Sequence, residues 1–269
     1  MFTRISKGWN IAMNALRVLN ANKQLMVFPI LSGITLLAVI GSFFASVFYT
    51  SGFDAIATDN QMYPILFLFY LVAYFVIVFF NMALIHCTTL YFRGEEASVS
   101  TGLSFSLSRI GLILMWAIFS ATIGTILKAI QDNLGTIGKI IVGILGFAWS
   151  AATFFVIPVI AYEKLTPIDA TKKSIELMKE KWGEAVVANF SFSGLVLLSF
   201  LIIGIVAIAV SELVNEGLGI GLFVGGMGLV AIMTSAVRSI IVSAAYHVVD
   251  GDMDVRFNKQ LLEDLFAQK

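Results

Sequence analysis

"PILFLFYLVAYFVIVFFNMALIHCTTLYF", residues 64–92, contains no Asp, Glu, Lys or Arg. About 20 apolar residues suffice for a helix to cross a hydrocarbon core roughly 30 Å thick, and this run exceeds that length. A predominantly apolar run of this length without a charge reads as a membrane-spanning helix, and the rest of the chain agrees. Of 269 residues, 59% are hydrophobic and 13% charged, about half the charged share of a soluble domain. Mean hydropathy is +0.93. Five further runs of comparable character lie at 25–50, 110–130, 140–162, 185–211 and 220–249. The sequence therefore predicts an all-α integral membrane protein with six transmembrane helices. The first run is far longer than the apolar core of a signal peptide and lacks a small-residue cleavage site, so it is expected to be retained.

Six spans place both ends of the chain on one side, and basic residues mark the cytoplasmic side. Fourteen of the 17 basic residues fall on the side of the termini: Arg4, Lys7, Arg17, Lys23, Arg93, Arg109, Lys164, Lys172, Lys173, Lys179, Lys181, Arg256, Lys259 and Lys269. The opposite side has Lys128 and Lys139 among acids such as Asp132 and Glu212. The expected location is the cytoplasmic (inner) membrane of a prokaryote, with both termini cytoplasmic. Net charge is zero, so no global field attracts nucleic acid.

The second, fourth and sixth runs end alike, in "TTLYFRGEEASVSTGLSFSLSRIG", "VIAYEKLTPIDATKKSIELMKEKWG" and "SAAYHVVDGDMDVRFNKQLLEDLF". Each places a tyrosine (Tyr91, Tyr162, Tyr246) where a ring can sit in the acyl boundary with its hydroxyl in water. A polar turn and an amphipathic segment follow. The spans are thus expected as three parallel-repeat hairpins with cytoplasmic amphipathic interfacial helices. The boundaries are an N-terminal helix at 1–24, a transmembrane domain at 25–250 and a C-terminal helix at 251–269. In 166–182, Thr166 is suited to cap a helix that begins with Pro167, with Asp169 completing the pair. Ile168, Thr171, Ile175, Met178 and Trp182 recur at helical spacing as the expected apolar stripe. Phe2, Ile5, Trp9, Met13 and Leu16 form a similar face near the start. Such helices either lie in the headgroup plane or pack on the cytoplasmic end of their own bundle. In the first case Arg4, Lys7, Lys172, Lys173, Lys179 and Lys181 form a basic surface toward anionic lipid headgroups.

The stretch "FFVIPVIAYEKLTPIDATKKSIELMKEKWGEA" resembles bacterial multi-pass membrane families of unknown function, among them the membrane domains attached to some glycerophosphodiester phosphodiesterases. Pro158, Glu163, Pro167, Ala170, Ser174 and Trp182 carry the likeness. It implies a membrane-domain family and no chemistry, because the phosphodiesterase activity of such proteins resides in a separate soluble barrel.

Few residues suggest catalysis. One cysteine, Cys87, and two histidines, His86 and His247, give no set of metal ligands at a usable spacing. "DGDMD" at 250–254 begins like a calcium loop, but Val255 stands where glycine is needed and Leu261 where a bidentate glutamate is needed. Gly221, Gly225 and Gly228, like Gly143, Gly146 and Ser150, suit close helix packing better than phosphate binding. No cofactor is expected and no enzyme. Coupled carriers place carboxylates inside the bundle, and no span here does so.

Arg238, in "TSAVRSIIVSAAYHVV" (234–249), is the exception to the apolar pattern. It lies eight residues, about 12 Å of helix, from Tyr246. A buried arginine needs partners, and Asn81, Glu163 and Ser235 are the candidates for an intramembrane polar cluster with it. The sequence supports a non-enzymatic scaffold or accessory subunit with a homo-oligomer or membrane-protein partner. The alternative is a homo-oligomeric channel, for anions if Arg238 lines it.

Overall fold

A computed structural model of the protein describes residues 13–50 and 62–250, and side chains within these except at 44, 46–50, 62, 180–195 and 248–250. The N-terminal face through Trp9, Arg4 and Lys7, the "DGDMD" segment beyond Asp250 and the C-terminal helix at 251–269 lie outside the described residues. Among the described residues every regular element is helical. Residues 13–21 are helical and lead through a 3-10 turn, Lys23–Met26, into α1, Val27–Thr50. There follow α2 (Met62–Phe92), α3 (Val99–Leu107), α4 (Ile110–Ala152), α5 (Val156–Glu163), α6 (Pro167–Leu213) and α7 (Glu216–Asp250).

Five helical stretches are long and apolar enough to cross a membrane: Lys23–Phe43, Tyr63–Phe92, Ile110–Glu163, Val196–Leu213 and Glu216–His247. The sequence reading gives six runs because it divides the third stretch at its polar middle. Within α4 the chain reverses at Gly135, whose φ of 55° and ψ of −127° are readily reached only without a Cβ. A Cβ on Gly138 would lie 2.8 Å from the Ile130 carbonyl oxygen, so the two arms meet backbone to backbone. Trp116 and Trp149 stack with centroids 5.9 Å apart, although a straight helix would separate them by about 50 Å. The arms of α4 therefore run side by side.

The second arm does not continue to Glu163. It stops at Ala152, and α5 begins at Val156. Pro158 explains the break: it has no N–H for the Phe154 carbonyl, and its ring crowds that carbonyl. The freed Phe155 N–H donates instead to Ser174 Oγ at 3.0 Å. Ser174→Ala would leave that buried amide without an acceptor, and we expect a loss of about 1–3 kcal/mol, read from thermal unfolding in detergent.

Two expectations for 166–211 are corrected. The amphipathic segment and the following run are not separate elements: α6 is one helix from Pro167 to Leu213, since Gly183 alone does not break a helix. The buried face at its start consists of Ala170, Ser174, Leu177 and Met178, while Ile168, from the expected stripe, is 57% exposed. The two small residues Ala170 and Ser174 let the helix press against α5, and that contact fixes which face turns inward. Thr166 caps the helix, with Pro167 in its first turn.

Two buried clusters hold the bundle. One joins Ala15, Leu19 and Phe28 to Ala83, Leu84 and Cys87 of α2 and to Val237, Ile240 and Ala244 of α7. The other joins Met82 and Ile85 of α2 to Ile113 and Trp116 of α4, Phe155 and Ile160 of α5, Leu177 of α6 and Tyr246 of α7. Both lie toward the end that carries Tyr162 and Tyr246, the tyrosine end. Toward the other end, Ile137, Ile144, Phe147, Leu213 and Val224 are exposed, as suits helices surrounded by lipid.

The glycines divide differently from expectation. A Cβ on Gly219 would lie 2.7 Å from the Ala207 carbonyl oxygen, and one on Gly226 would lie 2.9 Å from Ile203. These two, seven residues apart on one face, pack α7 on α6. Gly143, Gly146, Gly221, Gly225 and Gly228 meet nothing within 4 Å and so do not serve packing among the described residues.

Candidate functional site

A groove of about 470 Å³ opens beside Arg238. Its polar lining is Arg238, Thr234, Ser235 and Ser239 of α7, Asn81 of α2, and Ser150 and Thr153 at the end of α4. Ile85, Phe154, Ile157, Val196, Phe200 and Val242 supply the apolar lining. Helical spacing accounts for the α7 wall, since 231, 234, 235, 238, 239 and 242 share one face. The opposite wall is the break that Pro158 imposes between α4 and α5. Phe154 lies eight residues from Tyr162, just as Arg238 lies eight from Tyr246, so the break and the arginine have the same number of residues to the tyrosine end.

Three of the four residues expected around Arg238 come together: Arg238, Asn81 and Ser235 line one groove. Glu163 does not join them. It ends α5, nine residues beyond Phe154, and accepts a hydrogen bond from Tyr246 Oη at 3.0 Å. Among the described residues no carboxylate forms an ion pair with Arg238; the two ion pairs are Lys128–Asp132 and Lys172–Asp169. Arg238 is exposed on the groove wall. Of the expected basic surface, Lys172 and Lys179 are exposed and Lys173 is half-buried; Lys181 has no described side chain. The exposed Asp169 carboxyl is held below its ordinary pKa by the Thr166 hydroxyl and by Lys172.

A second polar assembly sits at the tyrosine end, and sequence reasoning missed it. Thr89 Oγ1, fully buried, lies 2.8 Å from Tyr162 Oη, 3.0 Å from His247 Nε2 and 3.1 Å from Ser243 Oγ. It also lies 3.0 Å from the Ile85 carbonyl, one turn back. Tyr162 and Tyr246 stack at 6.0 Å, and His86 stacks on Phe105 at 3.8 Å. Arg109 lies over Phe105 and donates to the Ala161 carbonyl at 3.2 Å, near the end of α5, where a cation is favoured. Of the tyrosines expected as wet interface anchors, Tyr246 turns inward at 2% exposed and Tyr162 gives its hydroxyl to buried Thr89, while Tyr91 is half-buried. Glu163 accepts from Tyr246 and buried Thr89 from Tyr162. The available signal was three hydroxyl or imidazole residues, Thr89, Ser243 and His247, each within a turn of a tyrosine in sequence or in helical register.

This is the architecture of a multi-helix membrane protein, close-packed at one end and carrying a polar groove among its spans. The chain belongs to DUF6159, a family of unknown function, whose match covers residues 60–254 and so takes in the groove, the break and the Thr89 assembly. The match gives no link to glycerophosphodiester phosphodiesterases. No curated protein matches the chain.

Proposed function

We propose that this is a non-enzymatic protein of the cytoplasmic membrane that acts as a scaffold or accessory subunit by docking a helix of another membrane protein. The observation that carries this reading is the uncovered glycine face of α7. Gly221, Gly225 and Gly228 recur on one side of the helix, are exposed, and have nothing within 4 Å. Leu218, Val224 and Leu229, each about 60% exposed, flank them. In lipid, helices associate where small residues let backbones approach, and a glycine pair four apart is one such surface.

The reading takes the chain to cross the membrane six times, as three hairpins, with both termini cytoplasmic. Two features support it. The reversal at Gly135 divides the 54-residue stretch into two arms, the second of them followed by α5 after the break. The basic residues gather in the segments at the tyrosine end. Lys172 and Lys179, on the exposed face of α6, would meet anionic headgroups there.

A photo-crosslinking side chain at Val224 should yield a discrete protein adduct in intact membranes, and Gly225→Leu should reduce its yield several-fold. Adducts with lipid alone would defeat the reading. A homo-oligomeric anion channel is the second reading, favoured by the cationic groove. It requires chloride flux from reconstituted vesicles that Arg238→Gln abolishes; a helix-docking scaffold gives none.

A further inference from the structure

We propose that the Arg238 groove is a binding site for an anionic phospholipid, entered sideways from the bilayer, with the lipid phosphate held by Arg238. Three independent features converge on it. The first is charge: an arginine placed about 12 Å inside the tyrosine end faces a groove whose described lining contains no carboxylate. Holding a charge at that depth is costly unless an opposite charge meets it.

The second is the helix break. Thr153, Phe154 and Ile157 line the groove, so the N-terminus of α5 borders it. Phe155 N–H is taken by Ser174, Val156 N–H by the Thr153 carbonyl, and Pro158 has none, so this wall offers side-chain groups and not free amides. Arg238 is the single charged group of the described lining, and it sets the sign of the ligand. The hydroxyls of Ser150 and Ser235 and the Asn81 amide supply neutral donors around Arg238.

The third is access and lining. Arg238, Ser150 and Ala231 are exposed, and Leu197 and Leu201 beside the α6 wall are 65% and 56% exposed. The groove thus opens among side chains that face hydrocarbon. Ile85, Ile157, Phe200 and Val242 give it an apolar lining, which suits the upper part of an acyl chain and disfavours a fully hydrated free ion. A volume near 470 Å³ holds a headgroup with the start of its chains, within the usual range for ligand sites. A lipid phosphate reaches the groove by lateral diffusion, with its chains remaining in the membrane.

The test is native mass spectrometry and lipid extraction of the full-length protein from mixed phosphatidylglycerol and phosphatidylethanolamine vesicles. The wild type should retain phosphatidylglycerol several-fold above its share of the bulk lipid. Arg238→Gln should bring retention to the bulk ratio, and Arg238→Lys should restore part of it. Ser235→Leu keeps the charge but fills the groove, and it too should lose the lipid, whereas Lys139→Gln, at an exposed lysine near the Gly135 reversal, should not. Thermal unfolding of each variant identifies any loss caused by misfolding, and Ser235→Leu and Arg238→Lys then decide between charge and fold. Equal retention in Arg238→Gln and wild type overturns the proposal. So does displacement of phosphatidylglycerol by millimolar inorganic phosphate, which would make the groove a site for small anions. Unchanged retention in Ser235→Leu would assign the lipid to general surface attraction and would also overturn it.

Discussion

Thr89→Val should destabilise the protein by about 2–4 kcal/mol in detergent or nanodiscs, although it changes the side-chain shape hardly at all. A threonine hydroxyl has one proton and two lone pairs. Tyr162 Oη donates into one lone pair at 2.8 Å, leaving one proton and one lone pair for Ile85 O, Ser243 Oγ and His247 Nε2. The oxygen is therefore saturated, and it ties together α2, α5 and α7. Valine fills the same space and offers nothing, so the Tyr162 phenol and the His247 ring both lose a partner in a buried site. Each buried group so stranded costs about 1–3 kcal/mol. In membrane proteins single hydrogen bonds average nearer 0.6 kcal/mol, because the unfolded chain in lipid finds substitutes. The hub exceeds that figure because three chain-distant partners lose one atom at once. Tyr162→Phe removes a single bond and should cost about 1 kcal/mol. The double variant should cost less than the sum of the singles, with the shortfall measuring the Tyr162–Thr89 coupling. A Thr89→Val protein within about 0.5 kcal/mol of wild type would show that the hub contributes no net stability.

The contrast between Tyr246 and Arg238 shows where the sequence is informative. Helix positions and apolar runs were legible because the bilayer demands length and hydrophobicity of each span separately. Arg238 stood out for the same reason, and helical spacing was enough to bring Ser235 beside it. Asn81 followed from matching depth on a second span. Glu163 was misplaced because depth says nothing about azimuth: it and Tyr246 share the bundle end, and their hydrogen bond takes the carboxylate away from the groove. The break at Thr153–Phe155 was half legible. Pro158 announces a missing bond to Phe154, but its consequence, a groove wall at the level of Arg238, depends on how α4 folds back at Gly135. The Thr89 hub left only a faint signal, a hydroxyl or imidazole within a turn of a tyrosine, because its members lie up to 158 positions apart. Glycines show the same limit. Spacing identified Gly221 and Gly225 as a packing face, yet Gly219 and Gly226 do the packing, because the orientation of α7 toward α6 is a tertiary choice.

Gly102→Ala should be among the more disruptive single-methyl changes in the described chain. A Cβ at that position would lie 2.7 Å from Phe28 Cζ, 2.8 Å from Cys87 Sγ and 3.0 Å from the Ala83 carbonyl oxygen. Phe28 and Cys87 are each 1% exposed and lack room to withdraw, and the third contact is backbone. Alanine gains up to about 1 kcal/mol over glycine within a helix. Overpacking a filled core costs about 1–3 kcal/mol, so the clash outweighs the gain and α3 must lift from α1 and α2. Gly102→Val should roughly double the penalty. The displacement has its own reporter. Cys87 is the sole cysteine, and its thiol donates to the Ser98 carbonyl at 3.3 Å beneath α3. In the wild type it should resist a maleimide in the folded protein, and in Gly102→Ala it should label many times faster at a temperature where both remain folded. Trimming the obstacle, as Gly102→Ala with Phe28→Leu, should recover part of the stability and slow the labelling. Equal labelling rates in wild type and Gly102→Ala would mean that the α2–α3 contact is looser than the spacing of these atoms requires.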